Sequence, residues 1–255
     1  MSAPEGSAQR YGDIVVVGGG CYGSYYVRQL RRARTAGAVT WERLVVVDRD
    51  PDCRVAQEAE GVTLVARDWT LFFHEYLAAA AGRGAEAVEA DAIVPSPLMP
   101  HLMSHWLVSR ARARWPGRGI RVAPLDGALD VPWQRSGEDG THYVSFATWE
   151  CPINCVEPAK CPHTRGARAW SLPPTVRAFV ATERLRGRRI DGPAVFHCTH
   201  RAYGVGMFDV AEVVRADALV AAVGEGRAAQ VLVGTVSHCH GALAILELAG
   251  TTGSA

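Results

Sequence analysis

The sequence has little of what would place it in a specialised class. Its net charge is +1 at neutral pH, so no whole-molecule field draws it to nucleic acid. No apolar run approaches the ~18 residues that a membrane-spanning helix needs. The first residues, MSAPEGSAQRYGD, are polar and lack the apolar core of a signal peptide, which makes a cytoplasmic location the default expectation. Lysine occurs once, as Lys160, among 27 basic residues. With so much alanine beside it, that bias reflects a GC-rich coding sequence rather than a function. Internal repeats and long low-complexity segments are absent. The C-x2-C spacing of zinc knuckles is absent too. Hydrophobic residues at 48% and charged residues at 21% are ordinary for a folded globular chain, which excludes extended disorder.

Seven cysteines are present, five of them after residue 150. In a cytoplasmic chain they are expected as thiols or metal ligands rather than disulfides. A length of 255 residues allows one large domain or two small ones. Residues 1–11 read as a flexible tail. Asp13-Ile-Val-Val-Val-Gly has the continuous apolar pattern of a parallel strand buried on both faces. A helix follows over 22–36, with Tyr22, Tyr25, Tyr26 and Leu30 at helical spacing. Further strands are predicted at 44–47, 62–66 and 92–94, and helices at 70–82 and 98–113. Strands alternating with helices predict an α/β fold with a parallel sheet flanked by helices. This portion runs over 12–115. Residues 116–255 form a Cys/His-rich α/β portion, with strands expected at 120–124, 142–148, 194–198 and 231–236. A loop is expected over 150–174, a helix over 207–223, and a strand or helix over 242–248. The boundary is soft, because both portions are compatible with one continuous sheet.

The first loop, Gly18-Gly19-Gly20-Cys21-Tyr22-Gly23, fits G-x-G-x-x-G through Gly18, Gly20 and Gly23. It lies between a buried strand and a helix, and Asp48 ends the next strand. The first glycine permits the tight turn, the second lets a pyrophosphate approach the backbone, and the third lets helix and strand pack closely. The helix N-terminus offers free N–H groups to phosphate. Asp48 is placed to accept from a ribose and to repel a 2′-phosphate, which favours NAD over NADP, although Arg49 beside it pulls the other way. VVVGGG-CYGSYYVRQL followed by LVVVDRDP resembles the NAD(P)-binding Rossmann superfamily, most closely its TrkA-N type, over residues 12–70. The resemblance implies a Rossmann fold and nucleotide binding at Gly18, Gly20, Gly23 and Asp48.

The second portion carries Cys151, Cys155 and Cys161 with the spacing C-x3-C-x5-C, then His197-Cys198-Thr-His200 and His238-Cys239-His240. Three thiolates share a small volume only when a cation neutralises them. Zinc and a 4Fe–4S iron–sulfur cluster both fit, the cluster with Cys198 or Cys239 as its fourth ligand, and a reversible disulfide between two of the thiols is a further option. Cys21 and Cys53 read as small buried hydrophobes. If each run stays extended, His238 and His240 share a face and Cys239 points away. His200 and His238 are candidate general acids or bases, and Glu157 a candidate base or outer partner of the ligands. Asp91 is a weaker candidate. His101 and His105 stand at i and i+4 of a predicted helix, a spacing that can bind zinc and more often has no such role.

These features predict an NAD(H)-dependent oxidoreductase with a metal centre beside the nucleotide, acting on a small molecule or a redox partner. Two other readings stay open: a non-catalytic sensor of nucleotide and of metal or redox state, and a transferase using S-adenosylmethionine. Rossmann proteins of this size often form homodimers.

Overall fold

A computed structural model describes residues 8–58, 61–152 and 155–250. The strands lie in two mixed sheets, and the chain divides into two compact units. One unit holds the described residues up to Pro97 together with Thr199–Ala211. The other holds Leu98–Cys198 and the residues from Glu212 onward. The soft boundary expected near 115 is thus a crossing at 97, followed by a later return. Elements are numbered along the chain.

The first unit contains β1 (Gln9–Val17), α1 (Cys21–Thr35), β2 (Val39–Asp48), α2 (Arg54–Glu58), β3 (Thr63–Ala66), α3 (Trp69–Arg83) and β4 (Ala92–Val94). It regains β9 (Thr199–Ala202) and β10 (Val205–Asp209) after the chain returns. The strand order is β3-β2-β1-β4-β10-β9. The first four strands are parallel, and β10 and β9 are added antiparallel. β1 starts at Gln9, so residues 9–11 belong to the sheet rather than to a tail; residues 1–7 lie outside the described residues.

β1 is central. Val15 pairs with Val45 on one side and with Ile93 on the other. Ile14, Val15 and Val16 are fully buried, as a parallel strand covered on both faces requires. α1 packs on the sheet through Gly23, Val27, Leu30 and Ala33, while Tyr22, Tyr25 and Tyr26 are half-buried at its margin. α3 starts at Asp68, whose carboxylate accepts from the N–H groups of Thr70 (2.9 Å) and Leu71 (3.3 Å).

The second unit contains α4 (Leu102–Arg114), β5 (Ile120–Ala123), β6 (Trp133–Ser136), β7 (His142–Ser145), α5 (Leu172–Leu185), β8 (Gly192–His197), β11 (Ala229–Val236) and β12 (His240–Leu248). It also holds α6 (Val210–Gly224) from Glu212 on. Its sheet runs β6-β7-β12-β11-β8, and β5 joins β12 farther along the edge that β7 occupies. β8 and β11 are parallel; the other pairings are antiparallel. One face is covered by α5, whose Leu172, Val176, Phe179 and Val180 pack with Leu232, Val236, Leu243 and Ile245. The single continuous sheet is therefore replaced by two. The expected helix over 207–223 is strand β10 followed by helix α6, and 242–248 is strand.

The ends of this second sheet position its polar residues. β7 ends at Ser145, β8 at His197 and β11 at Val236, and β12 starts at His240. The pairings His240↔Ser145 and Val236↔His197 bring those four ends together. The start of α5 joins them, because the Leu172 N–H donates to the His238 carbonyl at 3.0 Å. Among the described residues, no helix is long and apolar enough to cross a membrane.

Candidate functional site

In the first unit the chain leaves β1 through a tight turn. Gly18 has φ +90°, which strains any side-chain-bearing residue, and its N–H donates to the Val47 carbonyl at 2.8 Å. A Cβ on Gly23 would lie 1.8 Å from the Gly18 carbonyl oxygen, so the closeness of turn and helix requires glycine there. Gly20 differs: a Cβ on it would meet nothing within 4 Å. Space therefore lies over the backbone at the start of α1. That helix has no side-chain cap and no acidic residue in its first turn, so its first N–H groups keep their donor capacity and positive dipole end.

Asp48 faces this loop. One carboxylate oxygen accepts from the Gly19 N–H at 2.6 Å and the other from the Asp50 N–H at 2.9 Å. A carboxylate offers about four acceptor positions, so capacity remains for hydroxyl donors. Arg49 reaches the Asp68 carboxylate at 3.8 Å, an exposed and therefore weak pairing. Cys53 is buried beneath the loop; a Cβ on Gly19 would lie 2.3 Å from its Sγ, so this thiol fills a packing role. Cys21 is exposed at the first position of α1. His200 is placed on β9, opposite Gly206 of β10.

Asp91 lies elsewhere. It precedes β4, and its side chain accepts from the Asp13 N–H at 2.9 Å, near the start of β1. Five residue steps along the strand separate Asp13 from Gly18, about 16 Å. Arg83 stands 3.4 Å from Asp91, and Arg43 pairs with Asp13. Asp91 is thus part of a structural ion-pair group.

In the second unit, Glu157 organises the polar end of the sheet. It is buried, and its backbone takes a left-handed conformation (φ +48°). Its carboxylate accepts from the Ser237 hydroxyl (2.5 Å), the His238 N–H (2.8 Å) and the Cys239 N–H (3.0 Å). A carboxylate used this way anchors the 237–240 turn. The three residues His238, Cys239 and His240 are not an extended run, so the alternation expected of them does not hold. The His238 ring nitrogen Nδ1 meets the Ser171 hydroxyl at 2.8 Å, and its ring lies 4.8 Å from that of His197, edge to face. The corresponding nitrogen of His240 meets the Ser145 hydroxyl at 3.0 Å. Burial, and then the nearby Arg168 charge, hold His238 below its ordinary pKa, which keeps the imidazole neutral. A cleft of about 540 Å³ opens beside it, lined by His238, Ser171, Arg168, Trp170 and Thr175 among others.

The five cysteines of this unit differ in kind. Cys239 is buried and takes the Trp170 indole N–H at 3.2 Å. Burial pushes its thiol up to about 12, so as a metal ligand it would have to shed its proton against its surroundings. Cys198 follows β8, and its N–H donates to the Val236 carbonyl at 2.8 Å. Burial, together with Cys155 and Cys161 close by, pushes the Cys151 thiol up. Cys161 is the opposite case: it opens a turn closed by Arg165 N–H→Cys161 carbonyl and Cys161 N–H→Gly166 carbonyl, both 2.9 Å. Backbone N–H groups of that turn, Thr164 first, hold its thiol below the ordinary value. Around the loop stand aromatic rings: Trp149 stacks on His163 at 4.4 Å and meets Trp170 edge-on at 6.5 Å.

A single tetrahedral zinc holds thiolate sulfurs about 3.8 Å apart, given Zn–S bonds of about 2.3 Å. Among the described residues, three metal-capable side chains bring their donor atoms within 4.8 Å of one another at one place only, and it is not this loop. The group is His101, His105 and Asp139. The first two match the helical spacing singled out in the sequence. The third comes from the turn between β6 and β7, and only the long-range pairing of the sheet brings it there.

Residues 103–249 match the family AF_1314_C, described as "Uncharacterized protein, C-terminal domain". The chain belongs to that family. No curated protein and no solved structure matches it. The AF_1314_C segment contains the whole cysteine loop, Glu157, both histidine runs, His105 and Asp139. It begins after the glycine loop and Asp48.

Proposed function

We propose that this AF_1314_C protein is an NAD(H)-binding oxidoreductase. In this reading its first unit is a Rossmann-like nucleotide site of TrkA-N type. Its second unit holds an iron–sulfur centre through Cys151, Cys155 and Cys161. The observation that carries the proposal is the loop from Gly18 to Gly23. Gly18 and Gly23 are required by the backbone, and Gly20 faces open space at an uncapped helix start. The parallel order β3-β2-β1-β4 supports it, since the loop then lies where the sheet's connections diverge, the usual ligand crevice of open α/β sheets. The N–H groups opening α1 would hold the pyrophosphate, and Asp48 the ribose hydroxyls.

A bound nicotinamide supplies hydride transfer, and an iron–sulfur centre supplies single-electron transfer. A cluster is favoured over zinc because its bulk spreads its ligands, and the thiols here do not close to the spacing of a single ion. Cys161 suits a ligand role, since turn N–H groups stabilise its thiolate. Glu157 fixes the turn that carries His238, and His238, neutral and beside the cleft, is the group best placed to accept a proton.

Parallel titrations of anaerobically purified protein with NAD, NADP and S-adenosylmethionine test this, together with iron and sulfide analysis and an absorption spectrum. NAD is expected to bind at least tenfold more tightly than NADP, because Asp48 repels a 2′-phosphate. Preferential binding of S-adenosylmethionine would turn the reading to transferase chemistry. Binding of NADH without turnover by any acceptor would turn it to a sensor. Binding of none of the three sinks it.

A further inference from the structure

His101 caps the start of α4, and His105 lies one turn on, with ring centroids 4.6 Å apart. The Asp139 carboxylate stands 4.0 Å from Nδ1 of His101. That Nδ1 atom is buried and has no hydrogen-bond partner among the described residues. A buried imidazole nitrogen left without a partner costs free energy and calls for an explanation, which a bound ion supplies. Asp139 is itself oriented: one oxygen accepts from the Thr141 N–H at 3.0 Å, the other from the Thr141 hydroxyl at 2.9 Å. Carboxylate ligands in metal sites are typically held by such outer hydrogen bonds. The Asp139 side chain is 41% exposed, which leaves the group open to solvent.

We infer that His101, His105 and Asp139 bind one divalent transition-metal ion of the zinc type. The donor set decides the class of ion: two imidazoles and one carboxylate suit zinc and its neighbours, whereas calcium and magnesium take oxygen ligands. Zinc bonds of about 2.0–2.1 Å to nitrogen and oxygen place donors about 3.3 Å apart in a tetrahedron. The three donors lie within 4.8 Å of one another, so side-chain rotations close the remaining gap. Three protein ligands leave the fourth position to water. That is the arrangement of a catalytic rather than a structural zinc, in which the ion makes its water acidic near neutral pH. This site is separate from the cysteine loop in ligands and in chemistry, and it stands whether or not that loop holds a cluster.

Full-length protein stripped with chelator and titrated with Zn²⁺ and with Co²⁺ tests the site. The parent is expected to bind one equivalent of Co²⁺ with visible bands of a nitrogen- and oxygen-ligated ion and no thiolate-to-cobalt charge transfer for that equivalent. His105→Gln and Asp139→Asn should each weaken this equivalent at least tenfold. In chelator both variants should melt within a few degrees of the parent, which separates ligand loss from unfolding. Added Zn²⁺ should raise the melting temperature of the parent and not of the variants. Binding by both variants with the parent's affinity overturns the inference. So does a parent that binds neither ion at millimolar concentration, or whose only cobalt spectrum is that of thiolate ligation.

Discussion

Gly20 and Gly23 sit three residues apart in one loop, and their surroundings predict opposite behaviour. A methyl group on Gly20 meets no atom within 4 Å, and φ at this position is −76°, outside the left-handed region that requires glycine. The cost to the fold is the poorer N-cap, about 1 kcal/mol at most. For a chain of this size that lowers the melting temperature by about 2–4 °C. Under the proposed function, bound nucleotide would change the balance, because the same methyl group would fill the space open to a pyrophosphate. Gly20→Ala should therefore reduce NAD affinity tenfold or more, equivalent to about 1.4 kcal/mol, in a protein that is otherwise intact. Gly23→Ala places its methyl 1.8 Å from the Gly18 carbonyl oxygen and cannot be accommodated without moving backbone. It should lose several kcal/mol of stability and binding together. Calorimetric titration with NAD and thermal melts of the two variants read both effects. If Gly20→Ala binds NAD with the parent's affinity while the parent binds well, the glycine loop is not a phosphate cradle and the reasoning fails.

Glu157→Gln removes a charged acceptor from two buried N–H groups and the Ser237 hydroxyl, and should cost about 2 kcal/mol, lowering the melting temperature by about 4–8 °C; an unchanged melt would show that the 237–240 turn holds without it. Cys239, buried and with its thiol pushed up to about 12, should react with iodoacetamide at pH 8 at least about tenfold more slowly than exposed Cys21, as followed by mass spectrometry of labelled peptides. His142 is buried between Ser136 and Gln134, and burial holds its pKa below the ordinary 6.5. The unfolded chain takes up the proton first, so stability is full above pH about 6.5 and falls as pH drops toward the folded value. Melts from pH 7.5 to 5 should show this fall, and His142→Gln should make it shallower, the remainder coming from His105, His238 and His240, which burial shifts in the same direction.

The opening β1–α1–β2 segment was legible because its signals agree. Runs of valine buried on both faces end at glycine or aspartate, and the loop between them has conformational needs that only glycine meets. Helix α5 was hidden for a local reason. Pro173 and Pro174 follow a segment rich in cysteine and proline and read as more loop, yet proline suits the first turn of a helix. β12 was ambiguous because Ala242–Leu248 is apolar at nearly every position, and strand neighbours on both sides rather than its own periodicity decide it. The cysteine and histidine runs were visible as residue types, but their partners were not. Ser171, Trp170 and Ser145 carry no motif, and their contacts span 67, 69 and 95 positions of the chain. Asp139 would have been noticed only by asking which turn of the later sheet comes back to α4.

The chain's departure from the first unit at Pro97 and its return at Thr199 set an order on synthesis. β4 pairs through Ile93 with Phe208 of β10, a strand translated more than a hundred residues later. Until then, a nascent chain with the complete glycine loop presents β4 as an open edge, ready to pair with another chain. A shortened clone ending near residue 115, the boundary that composition suggests, would keep that edge permanently. A clone of the family segment alone, residues 103–249, would carry the β9–β10 pair without β4, the strand on which β10 docks. Separate expression of the glycine-loop half or the cysteine half is thus expected to give aggregation before it gives a domain.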